Sequence, residues 1–167
     1  MSSPHGDALL ALYDDALPQV YGYLLARCRQ RSAAEELTSE VFMAAVDSIG
    51  RAAVTDVTVA WLIGISRHKL LDHWRREERD TRRLTAVAGQ TPERDDPWDV
   101  NLDVLVARDV LAELSPSQRG VLTLRYLDDL PVARVAEILG RTLHATETLL
   151  VRARRAFRSA YEAEDGR

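Results

Sequence analysis

Apolar residues recur along this chain with a helical period, and no stretch alternates long enough to read as a strand. The first pattern runs from Asp7 to Gln30, where Leu10, Tyr13, Leu17, Tyr21, Leu24 and Leu25 fall at helical spacing. Pro18 sits inside it and predicts a kink or break near Leu17, because its ring removes a backbone donor and crowds the preceding turn. "SAAE", Ser32 to Glu35, has the form of a capping box and predicts the start of a second helix. From there to about Ile49, Leu37, Val41, Ala44, Ala45 and Ser48 share one face, while Glu36, Glu40 and Asp47 project elsewhere. Gly50 is the expected stop. "RAAVTDVTV" reads as a loop, and a long helix is expected from Val59 to about Arg79. Trp61, beside Leu62 and Ile65, reads as core, whereas Trp74 stays open between core and base stacking.

The pattern then breaks. "AGQTPERDDPWDVN" holds two prolines, a glycine and five charged residues with no helical period, so it reads as a linker. Beyond it "NLDVLVARDVLAEL" is amphipathic. Ser115 followed by Pro116 is a favoured N-cap and first-turn pair, and Pro131 and Gly140 bracket a short helix. Thr142 is the expected N-cap of a last helix whose buried stripe is Thr146, Leu150, Ala153 and Phe157. Two helices joined by a tight glycine-containing turn make a helix-turn-helix, whose second helix enters a DNA major groove. The expected fold is therefore all-α: two small helical domains, residues 1–83 and 104–167, joined by a flexible linker, 84–103.

Composition narrows the chemistry. The chain has 167 residues, 46% of them apolar and 29% charged, which are globular values. Its single cysteine, Cys28, can build neither an internal disulfide nor a zinc site, which points to a reduced, cytoplasmic setting. No apolar run approaches the ~20 residues that span a bilayer, so no membrane insertion is expected. His68 and His73 are five apart on different faces and make no metal pair. No phosphate-binding glycine loop or nucleophile elbow is present, so neither enzyme activity nor a cofactor is expected.

The net charge of −4 argues against indiscriminate nucleic-acid binding, but the cations are not spread evenly. "RHKLLDHWRREERDTRR" has seven bases against four acids, and "RARRAFR", Arg152 to Arg158, has four against none. Each half thus ends in a basic stripe on an acidic body.

Three blocks follow one another in order: "AAEELTSEVFMAAV", "VAWLIGISRHKLLDHWRR" and "LSPSQRGVLTLRYLDDLPVARVAEILGRTLHATETLLVRARRAF". Together they resemble the extracytoplasmic-function (ECF) group of bacterial sigma factors, over nearly the whole chain apart from the tails and linker. The resemblance implies that the first half is sigma region 2, which binds the polymerase clamp helices and opens the minus-ten promoter element. It implies that the second half is region 4, which binds the polymerase flap and reads the minus-thirty-five element. The implied partners are core RNA polymerase, promoter DNA and an anti-sigma factor.

Carried over residue by residue, the family's acidic, polymerase-facing patch falls on Glu36, Leu37, Glu40 and Phe42. Without the flanking blocks, Glu36 and Glu40 would read as a solvated face. The loop that captures a flipped promoter base falls on Arg51 to Thr58, with Thr55, Asp56 and Thr58 as small polar candidates. Arg67, Lys69, Arg75, Arg76 and Arg79 are candidates for phosphates of the melted strand. His68 stands where many relatives carry asparagine, and a ring there is compatible with stacking on DNA. On the last helix, His144, Glu147, Thr148, Val151 and Arg152 occupy the front, which meets base edges. Arg152, Arg154, Arg155 and Arg158 supply phosphate attraction, and Arg141, just before the helix, joins the minus-thirty-five DNA-binding set. Relatives often carry a base at the positions of Glu147 and Leu149, and this chain departs at both. A carboxylate at Glu147 can still accept a hydrogen bond from a cytosine amino group. The competing function class is a helix-turn-helix regulator that binds an operator without polymerase. It accounts for the second half and leaves residues 32–83 without a role.

Overall fold

The computed structural model describes residues 4–84 and 104–166, and every regular element among them is helical. The chain divides into two compact units, Met1–Trp74 and Arg75–Arg167. The expected linker lies outside the described residues except for Leu84, the last residue of a helix.

Unit 1 begins with α1 (Pro4–Arg27), packed against α2 (Arg31–Gly50). α1 runs unbroken through Pro18, so the expected break is absent. Its buried residues are Leu9, Ala16, Val20 and Leu24; of the expected set Leu24 is buried, Leu17 and Tyr21 are half-buried, and Leu10 is 76% exposed. The buried face carries a small residue, Ala16, the bulkier Leu10 is left outside, and Tyr13, though 41% exposed, reaches Phe42 of α2.

The capping box does not form. α2 starts one residue before Ser32: extended Gln30 is the N-cap with no side-chain hydrogen bond, and Glu35 pairs back to Arg31 at 3.2 Å. Ser32 lies inside the first turn, where its hydroxyl cannot cap. The buried face of α2 is Ala34, Leu37, Thr38, Val41 and Ala45, and the buried Thr38 hydroxyl donates to the Ala34 carbonyl at 2.7 Å. α2 ends at Gly50, yet the left-handed residue that turns the chain is Ala52, with φ 53°. Ala53 N–H donates to the Ser48 carbonyl and Ala52 N–H to that of Ile49, the two bonds of a Schellman ending.

α3 (Val59–Leu84) is longer than expected. Leu62, Ser66, Leu70, Leu71 and Trp74 are buried along it at helical spacing. Trp74 is thus settled as core, while Trp61, read as core, is half-buried. Burial stops at Trp74: from Arg75 to Arg82 every side chain is exposed except that of Glu78, which is half-buried.

Unit 2 takes in the last turns of α3 and contains α4 (Val104–Glu113), α5 (Pro116–Leu122), α6 (Val132–Leu139) and α7 (Leu143–Asp165). α7 packs on α4, α5 and α6. Ser115 caps α5 as expected, its hydroxyl accepting from Gln118 N–H at 3.4 Å with Pro116 in the first turn. α5 runs directly into a π-helical turn, Thr123–Leu127, closed by Asp128 N–H on the Thr123 carbonyl at 3.0 Å. Asp129 follows in the left-handed region with φ 52°. α6 ends on left-handed Gly140, with φ 63°, in a second Schellman ending: Arg141 N–H donates to the Ala136 carbonyl and Gly140 N–H to that of Glu137. The pair α6–α7, joined through Gly140 and Thr142, is the expected helix-turn-helix.

Candidate nucleic-acid interface

α7 is held from its first turn. Thr142 is extended, its hydroxyl accepts from Ala145 N–H at 3.1 Å, and the Thr146 hydroxyl donates to the Thr142 carbonyl at 2.9 Å. Thr146, Leu150, Ala153 and Phe157 are the buried residues of the helix, as its sequence predicts. Burying side chains such as Leu150 and Phe157 contributes about 1.5–3 kcal/mol each. That stripe fixes the rotation of the helix and so decides what faces outward. His144, Glu147, Val151 and Arg152 are exposed, and Arg141 is exposed just before the cap. Thr148, Arg154 and Arg155 are half-buried. Among the described residues Glu147 makes no ion pair, so its carboxylate is available as an acceptor.

One contact to this helix is not visible in the sequence. The Arg154 guanidinium donates through Nη1 to the Tyr126 hydroxyl at 3.3 Å, across 28 residues. "LTLRYLDDL" reads as continuous helix, and only the π-helical turn reveals which way Tyr126 points.

In unit 1 the candidate polymerase-facing residues separate. Glu36 is exposed. Leu37 is 1% exposed and belongs to the core, where it supports the patch from beneath and offers no surface to a partner. Glu40 is half-buried and pairs across to Lys69 on α3 at 3.8 Å. Phe42 is half-buried, edge-on to Tyr13 with ring centroids 5.0 Å apart. Around them lie exposed apolar residues that sequence reasoning left unassigned: Met43 and Val46 on α2, Leu10 and Tyr13 on α1. For Met43 and Val46 the signal was present, since both fall outside the expected buried face.

The loop candidates Arg51, Thr55 and Asp56 are exposed. Thr58 is not free in the same way: its hydroxyl accepts from Trp61 N–H at 3.1 Å and caps α3. On α3, His68, Arg75 and Arg79 recur at i, i+7 and i+11 and form one exposed stripe, with exposed Arg76 beside it. Arg67 is half-buried, and Lys69 is the partner of Glu40. Arg79 folds back so that its Nε donates to the Arg75 carbonyl at 3.3 Å.

This arrangement has known counterparts. Residues 12–80 match the family model for sigma-70 region 2, and residues 105–157 match that for sigma-70 region 4. The ECF RNA polymerase sigma factor BldN of Streptomyces coelicolor is 33% identical over 155 residues, covering 88% of this chain. This chain spans 58% of the length of that relative. The ECF RNA polymerase sigma factor SigL of Mycobacterium tuberculosis is 31% identical over 158 residues, covering 89% of this chain and 85% of the relative. Among solved structures, the sigma factor RpoE of Bartonella quintana, in complex with the anti-sigma factor NepR, superposes with a TM-score of 0.59. It is 20% identical and covers 93% of this chain and 97% of its own, a likeness of fold. Among the described residues no helix is long and apolar enough to cross a membrane.

Proposed function

Because the chain belongs to the ECF group of the sigma-70 family of RNA polymerase sigma factors, we propose that it is an alternative sigma factor directing core polymerase to its own class of promoters. Residues 1–83 dock the polymerase clamp helices and handle the melted minus-ten element. Residues 104–167 bind the flap and read the minus-thirty-five element. The observation that carries this reading is the presence of both regions, in order, in one chain. An operator-binding regulator has no use for the first of them.

In this reading Glu36, with Glu40 behind it, meets basic side chains of the clamp. Arg51, Thr55, Asp56 and the stripe His68, Arg75, Arg76 and Arg79 follow the separated strand, where a positive track and stacking surfaces suit flexible DNA. His144, Glu147, Thr148, Val151 and Arg152 meet base edges, with Arg141, Arg154 and Arg155 on phosphates. The chain contributes binding and positioning and no catalytic step, and it acts in the cytoplasm, where polymerase is. An anti-sigma factor is included among its partners on the family ground. The net charge of −4 keeps affinity of the free chain for DNA low and makes promoter binding depend on polymerase.

Run-off transcription with core polymerase on genomic fragments tests the proposal and locates a promoter. Fragments are expected to be transcribed only when this chain is added, and the chain alone is expected not to shift them. Specific retardation of such a fragment by the chain without polymerase would favour the operator-binding regulator.

A further inference from the structure

We propose that Tyr126 is a positioning residue that aims Arg154 at a phosphate of the DNA backbone beside the recognition helix. The inference rests on the reading of unit 2 as the minus-thirty-five reader. Four observations converge on Tyr126. Its hydroxyl accepts from Arg154 at 3.3 Å, joining two segments 28 residues apart. It sits in the π-helical turn, an insertion that re-aims side chains and recurs at functional sites. Tyr126 is 38% exposed, so the pair stands at the surface and not within the core. A second guanidinium, that of Arg125, lies 5.6 Å from its ring centroid, itself held by the Leu130 carbonyl at 3.5 Å and Asp129 at 3.8 Å.

Arg154 shares a face with Glu147 and Val151, at i, i+4 and i+7, and lies roughly 10 Å along the axis from Glu147. That is where a recognition helix leaves the base edges and crosses the backbone. A guanidinium has five N–H donors, and one of them is spent on Tyr126. The remaining donors of the guanidinium are therefore presented to a phosphate oxygen from a fixed origin. A long arginine otherwise gives up rotamer freedom on binding, and holding it beforehand lowers that loss.

The test uses holoenzyme and a duplex promoter fragment located by run-off transcription. Binding is measured across a salt series for the wild type, Tyr126→Phe, Arg154→Ala and the double variant. Tyr126→Phe keeps the ring and is expected to weaken binding roughly three- to tenfold, alike for every single-base variant of the upstream element. Its salt dependence is expected to fall between wild type and Arg154→Ala. The loss is expected to vanish when Arg154 is already alanine. An equal loss in both backgrounds, a loss confined to one base pair, or no loss would overturn the assignment. Should Tyr126→Phe melt early, Arg154→Lys keeps the charge without the fork; weaker binding at normal melting supports the pairing, and unchanged binding overturns it. Failure of wild-type holoenzyme to transcribe any fragment would overturn the functional reading, and this inference with it, before any variant is made.

Discussion

The two basic surfaces are built in different ways. In α7 the arginines ride on a helix buried along one face from Thr146 to Phe157, and Arg154 is tethered to Tyr126. In α3, Arg75, Arg76, Arg79 and Arg82 lie beyond Trp74, the last buried residue among the described side chains of that helix. The first surface is fixed in rotation and can match the rigid spacing of a duplex groove. The second lies past the buried face of its helix and is held by local contacts such as Arg82 with Glu78 at 2.9 Å, which suits a separated strand that bends to its partner. In the proposed reading, rigidity falls where base edges would be met and adaptability where the separated strand would be held.

The strongest break of that contrast is Phe157→Ala. It removes a core side chain from the helix that carries the reading face and is expected to cost about 3–5 kcal/mol in unit 2. Denaturant melting followed by circular dichroism should show early loss of part of the helical signal, and upstream-element binding should go with it. Arg75→Ala with Arg76→Ala should leave melting within about 0.5 kcal/mol of wild type, because both side chains are exposed. If the two variants melt alike, the contrast between a packed and an unpacked surface is wrong.

Second in size is reversal of the acidic patch, Glu36→Arg with Glu40→Arg. Like charges facing basic clamp residues are expected to weaken core binding by about tenfold or more. Glu40 is half-buried and tied to Lys69, so this variant also sets two cations together, and circular dichroism must confirm that it folds. Normal affinity in a pull-down with core polymerase would remove the clamp assignment.

How far the sequence reveals each surface follows from the same difference. α7 separates apolar and polar residues cleanly, so its cap at Thr142, its stripe and its front, apart from half-buried Thr148, are readable in advance. α1 carries Leu9, Leu10, Leu12, Tyr13, Leu17 and Leu24 on several faces, and two stripes compete. Packing chose the one containing Ala16, a decision made by the partner helix and not by α1 itself. In α2 the serine and glutamate of a capping box were present, but Arg31 captured Glu35 and the helix started earlier. The residues of the candidate site were legible as a set through the order of the three blocks. Their individual exposure was not, as buried Leu37 and capping Thr58 make plain. Tyr126 was out of reach, because a π-helical turn leaves no periodic mark in so short a segment.

The reading face and the strand-holding face should also respond differently to local substitutions. Glu147→Ala is expected to cost about 1–3 kcal/mol at one base pair of the upstream element and to relax the preference there. Transcription from single-base promoter variants checks it; an unchanged preference at every upstream position would leave α7 as a phosphate anchor. Arg75→Ala with Arg76→Ala should instead slow open-complex formation at unchanged core affinity. It should also lower the single-strand salt slope by about 1.4, at about 0.7 per phosphate contact. A loss of core affinity with normal promoter opening would reverse that assignment.

The smallest effect concerns the two Schellman endings, which use different residues at the left-handed position. Gly140 holds it in the turn before the recognition helix, and Ala52 holds it in the loop expected to meet the flipped base. A left-handed conformation costs a residue with a Cβ roughly 1–2 kcal/mol, which glycine escapes. Glycine in turn widens the unfolded ensemble, worth about 0.4–1 kcal/mol in the opposite direction. The steric term is the larger, so Ala52→Gly is expected to stabilise unit 1 by up to about 1 kcal/mol. Gly140→Ala is expected to destabilise unit 2 by a similar amount, and through the backbone alone, since a Cβ there meets nothing within 4 Å. Thermal melting of the two variants reads both signs. If strain at Ala52 helps hold the loop in a base-capturing shape, the stabilised Ala52→Gly variant should open promoters more slowly despite its higher melting temperature. Faster or equal opening would mean that the loop gains nothing from an alanine at the position where unit 2 uses glycine.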